Sequence, residues 1–140
     1  MALTRRKMLL LGSATFTTVA FMGLPAFADL TDDAIMAITG GAEMGAEGIT
    51  LTAPEIAENG NTVPVEVSAP GAVSIALFAS GNPTPAVATF NFGPLAGSQT
   101  GATRIRLAKT QDVVAIATMA DGSFRRAAAT VKVTIGGCGG

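Results

Sequence analysis

Residues 62–68, Thr-Val-Pro-Val-Glu-Val-Ser, decide the class of fold, because apolar and polar side chains alternate along them. Val63, Val65 and Val67 fall on one face of an extended chain and the intervening residues on the other, which is the pattern of a half-buried β-strand. Pro64 has no N–H to donate to a neighbouring strand. We therefore expect this strand to lie at a sheet edge or to begin near Pro64.

The rest of the second half of the chain repeats this pattern. Alternation predicts further strands around residues 73–77, 87–92, 104–107 and 131–135, and the apolar run 113–118 predicts a buried central strand. Turn residues separate these segments, at 59–60, 80–83, 110–112 and 121–122. Short strands at about ten-residue spacing predict an antiparallel β-sandwich of immunoglobulin-like type. We expect the phenylalanines at positions 78, 90, 92 and 124 to lie in its core.

A short helix is predicted before the strands. Thr31 can accept a hydrogen bond from a free N–H at a helix start, and Asp32 and Asp33 suit the positive end of the helix dipole. The apolar residues 34–38 follow, and Gly40-Gly41 ends the helix.

The first 28 residues have the form of an export signal. Arg5, Arg6 and Lys7 give a positive start, residues 8–23 are uncharged, and residues 26–28 form an Ala-x-Ala cleavage site before Asp29. Arg5-Arg6 within residues 4–9 favours the twin-arginine type of signal, which exports folded proteins. An ordinary secretory signal and a retained N-terminal anchor are the alternatives. The mature domain is expected to span residues 29–135, with no membrane span.

The composition after residue 28 excludes several functions. All ten acidic residues but only six of the nine basic ones remain, so the net charge is −4, which does not suit a nucleic-acid binder. The chain has no His, Trp or Tyr. The lack of His removes Ser-His and Cys-His catalysis and most zinc, copper and haem sites. We expect no cofactor, no metal and no catalytic residue.

The single cysteine, Cys138, is the strongest candidate for chemistry. It lies in residues 136–140 between two glycine pairs, Gly136-Gly137 and Gly139-Gly140. Glycine has the widest backbone freedom, and five residues reach on the order of 15 Å. We therefore expect a mobile arm that can carry the thiol into a narrow cleft of another protein. The bland alternative is a frayed terminus with an incidental cysteine.

No neighbouring residue in the sequence can activate this thiol. A cysteine of ordinary pKa is only a few per cent thiolate at neutral pH, and its glycine neighbours supply neither base nor charge. Activation is therefore expected to come from the protein that the arm enters. Among the other charged residues, Arg104 and Arg106 share one face of a strand and suit an anion or an acidic partner, although a solvated sheet face also explains them.

Three blocks of the sequence resemble one family. They are residues 54–65, residues 103–108 (Thr-Arg-Ile-Arg-Leu-Ala) and the terminal residues 131–140 with their Gly-Gly-Cys-Gly-Gly end. These blocks resemble SoxY, the family of sulfur-carrier subunits in the thiosulfate-oxidising Sox system. The similarity extends over essentially the whole chain, including the twin-arginine-like start.

The resemblance implies a periplasmic, non-enzymatic carrier that pairs with SoxZ in a heterodimer. Sulfur intermediates of thiosulfate oxidation would be held as a covalent cysteine adduct on Cys138, at the end of a swinging arm. Transient partners would be the haem enzyme SoxAX, the hydrolase SoxB and, in some organisms, a sulfane dehydrogenase. Two alternatives stay open: a thiol redox protein, which would normally need a second cysteine, and an exported structural module that cross-links through an intermolecular disulfide.

Overall fold

The structure, a computed structural model, describes residues 27–135, with side chains from residue 30 onward. This part of the chain forms helix α1 (Phe27–Thr39) followed by nine β-strands. The strands are β1 (Met44–Gly45), β2 (Thr50–Thr52), β3 (Ile56–Ala57), β4 (Val63–Ser68), β5 (Ala72–Ala79), β6 (Ala86–Asn91), β7 (Thr100–Ile105), β8 (Gln111–Met119) and β9 (Phe124–Val133).

The strands build two sheets. The large sheet has the order β1-β9-β8-β5-β6, and the small sheet has the order β2-β4-β7. Most pairs are antiparallel, but β1 and β3 pair in parallel with β9, near its beginning and its end. Between β1 and β3 the chain crosses to the small sheet to form β2, which ties the two sheets together. This is the immunoglobulin-like β-sandwich that the strand spacing predicts.

The main core lies between the two sheets. Its largest fully buried side chains are aliphatic: Ile75, Leu77, Leu107, Val63, Val67, Val113 and Val131. Phe90 packs across the gap between the sheets onto Gly101, where a Cβ atom would lie 2.6 Å from the phenyl ring. Glycine at that position of β7 therefore permits the close approach of the ring.

A second apolar cluster lies on the outer face of the large sheet. Phe78 of β5 and Val114 and Ile116 of β8 are buried there beneath Ile35 of α1. The helix therefore shields the outer sides of the central strands. Each buried side chain of this size contributes about 1.5–3 kcal/mol to folding, so the cluster anchors the helix to the sandwich.

The predicted strands are confirmed, with corrected ends. The apolar run 113–118 is the centre of β8, which lies in the middle of the large sheet. The predicted turn at 110–112 is wrong, because β8 already begins at Gln111 and the preceding loop takes up residues 106–110. The fourth predicted strand lies earlier than expected, at 100–105, and the last begins earlier and ends at Val133.

Pro64 stands where its missing N–H is tolerated. Strand β4 is the middle strand of the small sheet, so the edge position is wrong, but the strand begins one residue before Pro64. Strand β2 pairs only with residues 66–68 of β4, which leaves Pro64 with a partner on one side alone, Arg104 of β7. A proline at such a locally open position disrupts no ladder bond.

The helix begins earlier than its predicted cap. Thr31 lies inside α1 and is buried, with 3% of its surface exposed, so it does not cap the helix start. The predicted end is confirmed, because Gly40 and Gly41 follow the last helical residue with positive φ values of 64° and 86°. In the described part of the chain, no helix has the length and hydropathy needed to span a membrane.

Candidate functional site

The predicted site residues lie beyond both ends of the described chain. Cys138, its glycine neighbours Gly136, Gly137, Gly139 and Gly140, and the export residues Arg5 and Arg6 fall outside residues 27–135. These assignments stay predictions. The structure does describe the segment from which Cys138 departs, because Ile135 lies only three residues before it.

Hydrogen bonds on both of its edges hold this segment to the domain. On one side, the N–H groups of Lys132 and Thr134 donate to the carbonyl oxygens of Glu55 and Ala57 at 2.9 and 3.1 Å. On the other side, the N–H of Val133 donates to the Thr110 hydroxyl at 2.9 Å. Backbone bonds therefore fix the chain on both sides of the end of β9.

The anchoring continues past the end of the strand. The Thr134 hydroxyl donates to the carbonyl oxygen of Glu58 at 3.2 Å, and the N–H of Gly60 donates to the carbonyl oxygen of Ile135 at 2.8 Å. The last described residue is therefore still bonded to the domain. We call residues 55–60 together with 132–135 the arm base.

The arm base adjoins the loop after β7. The carbonyl oxygen of Gly60 accepts from the N–H of Leu107 at 2.7 Å, so Gly60 bridges Ile135 and Leu107. Gly60 is itself buried. This single residue fixes the spacing between the chain that leads to Cys138 and the segment that carries Arg106.

A buried pair of amide side chains shapes that segment. Asn82 and Gln111 are 6% and 7% exposed, and the Gln111 Nε2 donates to the Asn82 Oδ1 at 2.9 Å. The Asn82 Nδ2 donates to the carbonyl oxygen of Arg106 at 2.7 Å, and the N–H of Ala108 donates to the Asn82 Oδ1 at 3.0 Å. Because Asn82 bonds on either side of Leu107, the backbone around Arg106 is fixed.

Arg104 and Arg106 project to the same side, as their spacing predicts. Both are exposed, they alternate with buried Ile105 and Leu107, and both line a hollow of about 300 Å³ beside the start of β6. Arg104 also borders a larger hollow, of about 620 Å³, on the outer face of the small sheet. The sequence alone leaves the role of these two arginines open between an anion site and a solvated face.

The surface of the arm base is partly apolar. Ile135 is 67% exposed and Ile56 of β3 is 59% exposed, although both are large aliphatic residues. Ile56 pairs in register with Lys132, three residues before Ile135. Exposed aliphatic side chains beside a functional segment suit contact with another protein.

The described residues contain no assembled catalytic or metal centre. Within residues 27–135, no group of three or more acidic, His or Cys side chains is placed to hold a metal ion. Glu55 and Glu58 are exposed at the arm base and line neither of the two hollows beside Arg104. Arg125 and Arg126, as neighbours on a strand, point to opposite faces of β9, and they lie at the end of the strand far from Ile135.

One carboxyl group at that far end has a shifted pKa. The Ser123 hydroxyl donates to the Asp121 Oδ1 at 2.6 Å and the Ser123 N–H donates to the same oxygen at 2.9 Å. These bonds favour the carboxylate and hold the pKa of Asp121 below its ordinary value of 3.8. The contact shapes the β8–β9 turn, where Gly122 has a φ of 85°, and it is remote from the arm base.

The fold and the terminal sequence define a class: a small immunoglobulin-like sandwich whose last strand leads directly into a glycine-flanked cysteine. The family model described as sulfur oxidation protein SoxY matches residues 35–138, a span that ends on Cys138. The chain belongs to the SoxY family. Comparison with curated protein sequences finds no match.

Solved structures agree with this assignment. The sulfur carrier protein SoxY from Chlorobium limicola f. thiosulfatophilum is 41% identical, with a TM-score of 0.64 over 74% of this chain and 96% of that one. A superoxide reductase (neelaredoxin) from Ignicoccus hospitalis is 20% identical, with a TM-score of 0.55 over 62% of this chain and 80% of that one. The second likeness concerns the fold alone.

The sequence predicts Cys138 as the site, which stays a prediction, but it does not predict the residues that hold the segment before it. Gly60 was recognised only as part of a turn, and the roles of Thr134, Asn82 and Gln111 were not predicted. One available signal was Gln111, a polar residue next to a long apolar run. Its partner Asn82 lies 29 residues away, so only the tertiary structure reveals the pair.

Proposed function

We propose that the protein is a covalent sulfur carrier of thiosulfate oxidation, with Cys138 as the attachment point. The observation that carries the proposal is the family match, which extends from the helix through the whole sandwich to Cys138. The Chlorobium relative is a sulfur carrier protein, and its similarity to this chain spans nearly all of its own length. Membership of the SoxY family supports a carrier role in sulfur oxidation for this chain.

The Cys138 thiol has no neighbouring base or charge, so partner enzymes would catalyse both the loading step and the hydrolysis step. On loading, a sulfur–sulfur bond forms between the Cys138 Sγ and the outer sulfur of thiosulfate. The thiol proton passes to water and two electrons pass to a haem partner of the SoxAX type. Hydrolysis by a partner of the SoxB type then adds water to the sulfonate, releases sulfate and leaves a persulfide on Cys138. Atoms and electrons balance in both steps.

The domain has a supporting role in this proposal. The arm base holds the chain up to Ile135, so residues 136–140 start from a defined position, and their four glycines give the backbone wide freedom. Docking such a segment costs roughly 1–2 kcal/mol per ordered residue. That cost favours release after each step, as a carrier requires. Ile56 and Ile135 are the side chains that we expect partners to contact first.

The remaining assignments are part of the same proposal. We infer a periplasmic location and twin-arginine export from Arg5 and Arg6, a heterodimer with SoxZ, and transient contacts with SoxAX, SoxB and a sulfane dehydrogenase where one exists. The protein is a substrate of these enzymes rather than an enzyme. The domain boundaries proposed are 1–28 for the signal, 29–135 for the sandwich and 136–140 for the arm.

Intact-mass spectrometry after turnover of thiosulfate with the partner enzymes tests the proposal. We expect a mass increase on the chain that corresponds to a thiosulfonate or persulfide group and that maps to Cys138. Cys138→Ser should abolish the increase and leave the SoxZ complex intact. An unmodified Cys138, or a stable disulfide dimer as the working form, would contradict the carrier function.

A further inference from the structure

Two arginines beside the arm base form a cationic site of their own. Arg104 ends the exposed face of β7 and Arg106 follows two residues later on the same side. They line the hollow of about 300 Å³ together with Asn82, Thr84 and the start of β6. A guanidinium group presents several N–H donors in a planar fork, which matches the oxygens of a sulfonate, sulfate or carboxylate.

Neither arginine forms an ion pair with a carboxylate of the described residues. No carboxylate within residues 30–135 lies at ion-pair distance from either side chain, and the one hydrogen bond of the Arg104 side chain is a long one, 3.5 Å to the Thr62 hydroxyl. Glu66, on the neighbouring strand, pairs in register with Ala102; it lines the larger hollow with Arg104 but not the hollow of about 300 Å³. Both side chains carry a positive charge without an ion-pair partner, so an anion in the hollow that they line is favourable.

The backbone around Arg106 is fixed before any anion arrives. Asn82 bonds the Arg106 carbonyl and the Ala108 N–H, and Gly60 bonds the Leu107 N–H between them. A fixed backbone reduces the entropy that anion binding must overcome. The hollow is therefore better prepared for a ligand than a pair of arginines on a mobile loop would be.

Cys138 lies within reach of this site. Hydrogen-bonded neighbouring segments are about 4.8 Å apart, so the two steps from Ile135 through Gly60 to Leu107 span about 10 Å. Cys138 follows Ile135 by three positions, and three extended residues also span about 10 Å. The Arg104 Nη1 lies 3.5 Å from the hydroxyl of Thr62, which follows Gly60 by two residues.

We propose that Arg104 and Arg106 bind the sulfonate end of the group carried on Cys138. This inference rests on the proposed function and deepens it, because it assigns a binding site on the domain itself to the group that the arm carries. The free thiol has no oxyanion and gains nothing from the site. Loading with thiosulfate therefore draws the arm towards Arg104 and Arg106, and the release of sulfate ends the contact.

The site can be tested without the partner enzymes. Tetrathionate reacts with a thiolate to give Cys–S–S–SO3⁻ and thiosulfate, with cleavage of the central S–S bond and departure of the electron pair on thiosulfate. Tetrathionate is a dianion. We expect it to react with Cys138 of the wild-type protein about three- to tenfold faster than with Cys138 of the Arg104→Gln/Arg106→Gln double variant at low salt. The difference should fade at high salt, while neutral 2,2′-dithiodipyridine should react with both at the same rate.

A matched control removes two arginines at the far end of the sandwich. Arg125→Gln/Arg126→Gln changes the net charge by the same amount, but Arg126 lies nine residues before Ile135 on an extended strand, about 30 Å away. This double variant should keep the wild-type rate with tetrathionate. Equal slowing of both double variants would overturn the proposal, because the effect would then be one of net charge.

NMR of the arginine Nε–Hε groups shows whether the site binds the group attached to Cys138 or only free anions from solution. Conversion of Cys138 to the tetrathionate-derived adduct should shift the Arg104 and Arg106 signals and leave those of Arg126 in place. If instead these signals respond to millimolar sulfate in the Cys138→Ser chain but not to the adduct, the proposal is overturned. Because tetrathionate loads any accessible thiol, these results do not depend on whether partner enzymes load Cys138 with thiosulfate.

Discussion

The N–H of Gly60 donates to the carbonyl oxygen of Ile135 at 2.8 Å, which ties the last described residue to a turn that lies 75 positions earlier in the chain. The same glycine accepts a bond from Leu107. The domain therefore holds its terminal segment up to three residues before the cysteine. The position of the arm base is therefore a property of the tertiary structure.

Thr134→Val should loosen the arm base. The hydroxyl of Thr134 donates to the Glu58 carbonyl, and valine has the same shape without a donor. We expect a loss of about 0.5–1 kcal/mol in the free energy of unfolding and faster hydrogen exchange at the Gly60 and Thr134 amides. Urea unfolding and native-state exchange measure both effects.

Thr52→Val is the control for that change. Thr52 is an exposed threonine like Thr134, and its side chain has no hydrogen bond to the described residues. We expect its unfolding free energy to stay within about 0.5 kcal/mol of the wild type. Unchanged exchange at Gly60 in Thr134→Val would show that the hydroxyl does not support the arm base.

Asn82→Ala should destabilise the domain more strongly. It leaves the Arg106 carbonyl and the Ala108 N–H without their side-chain partner in a partly buried place, and it removes one of the two bonds that the Gln111 Nε2 donates. Unpaired buried polar groups are costly, so we expect a loss of roughly 2–4 kcal/mol in urea unfolding. Exposed Asn61→Ala serves as the control, with an expected change within about 0.5 kcal/mol.

The fold class was predictable because strand periodicity survives in the longer strands. Strand β8 carries buried residues on both faces: Val113 and Ala115 face the small sheet, while Val114 and Ile116 lie under the helix. That double burial removes the alternation and gives the continuous apolar run from which a central strand was predicted.

The short strands and the site geometry were not predictable in the same way. Strands β1 and β3 have two residues each, too few for a period, and they form by parallel pairing with β9, about 75–80 positions further along the chain. Sequence composition predicts Cys138 as the site because a lone thiol among glycines is rare, and this stays a prediction. The contacts that hold its segment come from residues 55–60, and nothing local in the terminal sequence indicates them.

The contact between Ser123 and Asp121 predicts a specific pH dependence. The Ser123 hydroxyl lowers the pKa of Asp121 below 3.8, so the contact stabilises the fold above the ordinary pKa and is lost as pH falls through the lowered value. Ser123→Ala should raise the pKa towards the ordinary value, as measured by carboxyl ¹³C NMR titration. The difference in thermal stability between wild type and Ser123→Ala should disappear in strong acid.

Ser98→Ala is the control for this titration. Ser98 is exposed in the loop before β7 and its side chain makes no hydrogen bond with the described residues. Its substitution should leave the Asp121 titration unchanged. A titration midpoint of Asp121 that is the same in Ser123→Ala as in the wild type would assign the lowered pKa to another cause.

Gly137→Val tests whether the chain before Cys138 must be slender and unconstrained. A β-branched residue adds bulk and restricts its own torsion angles, so the thiol should enter a narrow partner cleft less readily. We expect an unchanged unfolding free energy and at least a tenfold slower loading of Cys138 by the thiosulfate-conjugating partner, measured by intact mass. Gly97→Val is the control, because a Cβ atom at exposed Gly97 meets nothing within 4 Å and should leave loading unaffected. Equal loading rates in the two variants would show that the glycines are not required for entry, and the access to Cys138 would then have to be limited by the domain itself.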